Sequence, residues 1–198
     1  EKVSFRPLEP LLLAMLPLLL ASAVPSSYQC PGSAAFIHAS CKVEASLSTS
    51  CATARAEMLA RVGGQYLKWH DPHNNGTYSV LDKSDPSTLA LQRVTGNKKY
   101  TDKLTFSFEA AANGQCTVYG CSESQVTSVA DFSTNYCNLR MMYCSTADGC
   151  KPVSHEFAVS ETSVSPSFGA SKDPSACLKV FSKKPVVEEA KFFTMVKN

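Results

Sequence analysis

Nine cysteines constrain this chain more than any other feature: Cys30, Cys41, Cys51, Cys116, Cys121, Cys137, Cys144, Cys150 and Cys177, all downstream of an apolar leader. Cysteines in such number serve either a metal or a disulfide framework. The spacings from Cys116 onward are C-x4-C, C-x6-C and C-x5-C, which lack the paired C-x2-C knuckles of structural zinc sites, so no metal site is expected. In an oxidising compartment the same set forms disulfides, each adding about 2 to 4 kcal/mol by restricting the unfolded chain. An odd count leaves one thiol over, and sequence does not choose among the pairings.

The leader names the compartment. Lys2 and Arg6 precede the run LLLAMLPLLL at 11–20, which ends in Ala21-Ser22-Ala23. A charged start, an apolar stretch and a small-x-small site form a secretory signal peptide, so residues 1–23 are expected to be removed and the protein to be extracellular. Pro10 and Pro17 interrupt the run, and the unbroken stretch falls short of the roughly 20 residues a membrane span requires. No stable span is therefore expected after cleavage. Because the chain begins at Glu1, translation is expected to start upstream or at Met15. The sequon Asn75-Gly76-Thr77 agrees with export and predicts a glycan on Asn75.

What remains has the composition of one globular domain, 44% hydrophobic and 18% charged, expected over residues 24–182 with a loosely ordered tail at 183–198. Nineteen basic against seventeen acidic residues give a net charge of +2, too weak a field to hold a polyanion, so nucleic acid is not an expected partner.

From 40 to 62, Val43, Leu47, Cys51, Ala54, Met58 and Val62 recur at steps of three and four, which predicts one amphipathic helix stopped by Gly63-Gly64. Glu44, Arg55 and Arg61 fall off that stripe. Beyond it the period shortens towards two. Short strands are expected at 66–69, 77–81, 89–94, 103–108 and 116–121, with Leu104, Phe106 and Phe108 on a buried face and Lys103, Thr105 and Ser107 on a wet one. The stretch 122–152 reads as irregular and pinned by bridges, with a short helix near 138–143. Phe157 and Val159, then Leu178 and Val180, are candidates for closing strands. A helix followed by an antiparallel meander is an α+β arrangement, the helix packed on the sheet. The layout over 40–129 resembles the cystatin-like roll. Where cystatins carry Q-x-V-x-G this chain has Gln125-Val126-Thr127-Ser128-Val129, without the central Val and final Gly, so the resemblance implies layout alone.

Two stretches carry chemistry. Trp69-His70-Asp71-Pro72-His73-Asn74-Asn75 puts two imidazoles and a carboxylate within four residues, as a hydrolytic or metal-assisted site requires, with His155 a possible further member. A proline turn explains the same residues, and Pro72 excludes a helical i, i+4 ligand pair. No nucleophile elbow, zincin motif, P-loop or dinucleotide fingerprint is present, so no cofactor is expected and catalysis is the second choice. The first is a non-catalytic binding protein that presents disulfide-pinned loops between Cys121 and Cys150 to an extracellular protein, glycan or small ligand. Its candidate contact residues are Gln125, Asp131, Phe132, Asn135 and Tyr136.

Overall fold

The computed structural model describes residues 28–179; the leader expected at 1–23, the tail at 183–198 and the strand candidate Val180 lie outside the described residues. The fold is α+β. Six strands, β1 (Ser40–Leu47), β2 (Thr77–Asp82), β3 (Thr88–Val94), β4 (Thr101–Ala110), β5 (Cys116–Ser124) and β6 (Val159–Pro166), form one antiparallel sheet in the order β2-β3-β4-β5-β1-β6. Three helices accompany it: α1 (Cys51–Gly63), α2 (Thr134–Tyr143) and the single turn α3 (Pro174–Cys177). Among the described residues no helix is long and apolar enough to cross a membrane.

The stretch expected as one helix over 40–62 is two elements. Residues 40–47 are the strand β1, inserted between β5 and β6, so the helix-first order behind the cystatin-like resemblance is not the observed one. A spacing of four, as from Val43 to Leu47, satisfies period two as well as period 3.6. Cys41, two residues before, and the intervening Ala45 decide it, because Cys41, Val43, Ala45 and Leu47 are all buried in strict alternation. The helix begins only at Cys51, where the Ser50 side chain caps the Thr53 N–H at 3.2 Å.

The buried face of α1 also differs from the expected stripe: it consists of Ala54, Glu57, Met58 and Arg61. Arg61 is in the core because Glu57, one turn earlier, accepts from it at 2.8 Å, while its other nitrogens donate to the carbonyls of Met141 and Cys144, each at 2.8 Å. The Glu57 carboxylate also accepts the N–H groups of Val153, Ser154 and His155. Burial opposes its ionisation, but the guanidinium and these amides outweigh it and hold the carboxyl below the ordinary glutamate range. This pair, hidden from any count of apolar residues, pins the segment after Cys150 to the helix.

The meander β2 to β5 follows the predicted strands closely, whereas 66–69 is a turn closed by a single bridge between Gln65 and Trp69. Residue 178 follows α3 and belongs to no strand; of the closing candidates among the described residues only Val159 begins one. Leu104, Phe106 and Phe108 are buried as expected. Ser107, expected on the wet face, is buried too. The helix α2 starts four residues earlier than expected and lies across the sheet over Gly120, where an added Cβ would stand 2.9 Å from Val43 and 3.1 Å from both Leu139 and Phe106. Only glycine permits that approach.

Eight cysteines form the bridges Cys30–Cys121, Cys51–Cys116, Cys137–Cys177 and Cys144–Cys150. The first ties the N-terminal segment to β5, the second staples the start of α1 to the sheet, and the others fix both ends of α2. Four disulfides fit an extracellular or secreted protein. The leftover thiol is Cys41, which is buried in β1, its pKa pushed up to about 12 by burial first and by Asp131 and Glu161 next. It is held in the unreactive protonated form.

Candidate functional site

The core face of the sheet changes character at one end. In β3 the alternation that buries Leu89 and Leu91 continues to Arg93; in β4 the face of Leu104 and Phe106 continues back to Asp102; in β5 the face of Val118 and Gly120 continues to Ser122 and Ser124. Strand periodicity thus carries four polar side chains under the N-terminus of α2, where buried polar groups must find partners.

Two networks supply them. In the first, Asp71 is fully buried and accepts from Arg93 Nε at 2.8 Å and Nη2 at 2.7 Å. It also accepts from the Tyr78 hydroxyl at 3.2 Å and the His73 N–H at 2.8 Å. Arg93 further donates to the His73 carbonyl. A Cβ on Gly76 would fall on the guanidinium, so the chain passes here only as glycine. The His73 imidazole donates from Nδ1 to the Ala176 carbonyl at 2.9 Å and meets Thr134 Oγ1 at 3.3 Å. Burial lowers its pKa, so it is neutral. Asp71 and His73 therefore hold the 70–75 loop to the sheet.

The second network runs from carboxylate to carboxylate. Asp131 Oδ2 accepts the Asn135 N–H at 3.0 Å and its side-chain amide at 2.9 Å. Ser122 donates to Asn135 Oδ1 at 2.7 Å, Asn138 donates to Ser122 at 3.1 Å and to Asp102 Oδ2 at 2.8 Å. Asp131 thereby satisfies the buried Asn135 amide at the start of α2, a position that favours negative charge. Its Oδ1 is buried without a hydrogen-bond partner among the described residues. Burial pushes the Asp102 carboxyl above the ordinary aspartate range; Asn138, Ser124 and Arg93 oppose this, and Asp131 adds to it.

Above these networks opens a cavity of 640 Å³. Buried Asp102, Ser124, Asp131 and Asn135 line it together with His70, Asn74 and Asn75 of the 70–75 loop and Thr95, Asn97 and Tyr100 of the neighbouring loop, whose Gly96 N–H donates to the Asn74 carbonyl at 2.8 Å, with exposed Phe132 at the rim. Asn74, Asn75 and Phe132 have φ of 55°, 49° and 48°, as does Ser133 at 71°. Asparagine tolerates this left-handed conformation, but at Phe132 it costs of order 1 kcal/mol or more.

The two sequence candidates meet here in part. Asp131, Phe132 and Asn135 line the cavity, together with His70. Gln125 instead donates to the carbonyls of Gly32 and Glu123, and Tyr136 is buried with its hydroxyl on Glu161 at 2.8 Å. His155 lies outside the cavity lining and contributes its N–H to Glu57. Sequence reading missed Asp102, Ser124, Thr95 and Tyr100. Asp102 had a signal: counting back by twos from Phe106 and Leu104 puts it on the core face. Among the described residues, the group close enough to share a metal ion is Cys30, Cys121 and Glu123, and its two sulfurs are bonded to each other.

The raised pKa of Asp102 has a consequence for stability. Its carboxyl binds a proton more tightly folded than unfolded, so stability should fall as pH rises from about 3.9, the unfolded aspartate value, through the higher folded one. Glu57 acts oppositely and below about 4.3, the unfolded glutamate value, where acid removes its contribution. Asp102→Asn should abolish the decline above pH 4 and leave the acid limb, as denaturant melts across pH 3 to 8 would show. An unchanged decline would mean that Asp102 is not its source.

Comparison with protein-family models gives no match, and comparison with curated proteins gives none either.

Proposed function

We propose that this is a secreted, non-catalytic binding protein whose ligand is a small molecule bearing a hydrogen-bond donor, a primary ammonium above all, held in the cavity beneath α2. The observation that carries the reading is Asp131, which lines the cavity while its buried Oδ1 has no partner among the described residues. A buried acceptor left unsatisfied costs about 1 to 3 kcal/mol, and a donor placed against it removes that cost. Asp102 adds a second acceptor, and Tyr100 and Phe132 offer rings to an apolar body or to the cation itself. The volume falls within the roughly 300 to 1,000 Å³ of small-molecule sites. Part of the lining, Asp131, Phe132 and Asn135 included, comes from the disulfide-anchored segment between Cys121 and Cys150, and the exposed sequon residue Asn75 lies on the cavity wall.

A hydrolase built on His70, Asp71 and His73 draws less support, since Asp71 and His73 are committed to Arg93, Tyr78, Ala176 and Thr134 and only His70 faces the cavity. Calorimetric titration with phenethylammonium tests the binding reading. Saturable binding is expected, weakened at least about tenfold in Asp131→Asn, because removing one member of a buried charged pair costs 2 kcal/mol or more. Equal affinity in the variant would contradict the assignment.

A further inference from the structure

The cavity opens at the end of the sheet where four loops converge: 28–39 before β1, 95–100 between β3 and β4, 125–133 before α2, and 167–173 after β6. Hydrogen bonds join them side by side, Ser128 N–H to the Ile37 carbonyl, Ala39 N–H to Ser128 Oγ, Ser40 N–H to Ser167 Oγ and Gln125 N–H to the Thr101 carbonyl. These loops carry six of the eleven large hydrophobic side chains exposed among the described residues: Phe36, Ile37, Tyr100, Val129, Phe132 and Phe168. Phe36 is 98% exposed and Phe168 is 97% exposed. Such a concentration on one end of a disulfide-stapled domain marks an interaction surface.

We propose that this end docks onto an anionic lipid bilayer, with Phe36 and Phe168 entering the interfacial region and the loop lysines facing the headgroups. Charge favours this occupant. Lys98, Lys99 and Lys172 are exposed on the same loops. Of the acidic residues there, Asp131 is buried, and Asp173 caps α3 and lies 3.9 Å from Lys179. Geometry favours it as well. The anchors of a protein interface pack into a shared, dense core, whereas two phenylalanines that touch almost nothing of their own chain are placed to enter a fluid phase that closes around them. Aromatic rings beside basic residues are the composition of an interfacial anchor. The inference is independent of what the cavity binds.

Co-sedimentation of the full chain with vesicles of phosphatidylcholine, and of phosphatidylcholine with phosphatidylserine as a minor component, tests it. Each variant is compared with the wild type, so any contribution from the rest of the chain is common to both. Stronger binding to the mixed vesicles is expected. F36S/F168S should weaken that binding by about tenfold or more. K98E/K99E should weaken it by about tenfold or more as well, with the difference between variant and wild type shrinking at high salt. Near-UV circular dichroism and denaturant melts check that the variants are folded. Failure of the wild type to bind mixed vesicles, or F36S/F168S binding as the wild type does, would overturn the proposal. So would loss of a wild-type dimer in F36S/F168S with vesicle binding intact, which would give the surface to a second copy of the chain.

Discussion

Asp71→Ala is expected to destabilise the fold by about 3 to 5 kcal/mol, the usual cost of leaving one member of a buried ion pair without the other. Both partners are fully buried, and Arg93 Nη1 already has no hydrogen-bond partner among the described residues. Removing the carboxylate would also take acceptors from the Tyr78 hydroxyl and the His73 N–H. The loss would reach the cavity, since the loop so released supplies the wall of His70, Asn74 and Asn75. Arg93→Met alone should be costly for the mirror reason. The double variant Asp71→Leu, Arg93→Met should cost less than the sum of the two single changes, because replacing a buried pair by apolar groups removes the desolvation penalty together with the attraction. Denaturant melts with disulfides intact measure all of these. Additive losses would mean that the two side chains do not act as a pair.

Phe106→Ala is expected to cost about 3 to 5 kcal/mol as well, by a different mechanism. The ring is fully buried where Gly120 lets Val43, Leu139 and Phe106 meet, so truncation opens a void between sheet and α2. Its strand neighbours calibrate the effect. Thr105, half-buried on the other face, should cost about 0.5 kcal/mol or less as alanine. Ser107 is buried and its hydroxyl has no hydrogen-bond partner among the described residues, so Ser107→Ala should be neutral or stabilising, since an unsatisfied polar group leaves the interior. Equal losses at 105 and 106 would contradict the assignment of faces.

The residues that read true in the sequence are those whose pattern is local. Leu104, Phe106 and Phe108 alternate without ambiguity, and β4 lies where they put it. Val43 and Leu47 fit two periods, and the choice of helix over strand depended on weighing Cys41 and Ala45, small residues that carry a weak signal. Arg61 and Arg93, and Asp102 except by counting back from Phe106 and Leu104, were illegible for another reason. Each continues a buried face, but a charge interrupts an apolar pattern unless its partner is known, and those partners are Glu57, Asp71 and Asn138. Asp71 and Arg93 lie on different elements. The disulfide partners of Cys30 and Cys137 are likewise far away in the chain. The cavity shares this non-local origin: the stretch 69–75 and the loops between Cys121 and Cys150 each read as a separate candidate, and only the sheet brings His70, Asp131 and Asn135 to one opening.

On the proposed function, the polar end of the sheet forms a ligand site organised around Asp131. Backbone amide shifts followed by NMR during titration with phenethylammonium test it most directly. Perturbations should concentrate at Asn74, Thr95, Tyr100, Asp131 and Asn135 and should be lost in Asp131→Asn. Perturbations gathered instead at the second groove, around Leu67, Lys151 and Leu178, or no saturable change at all, would contradict the account.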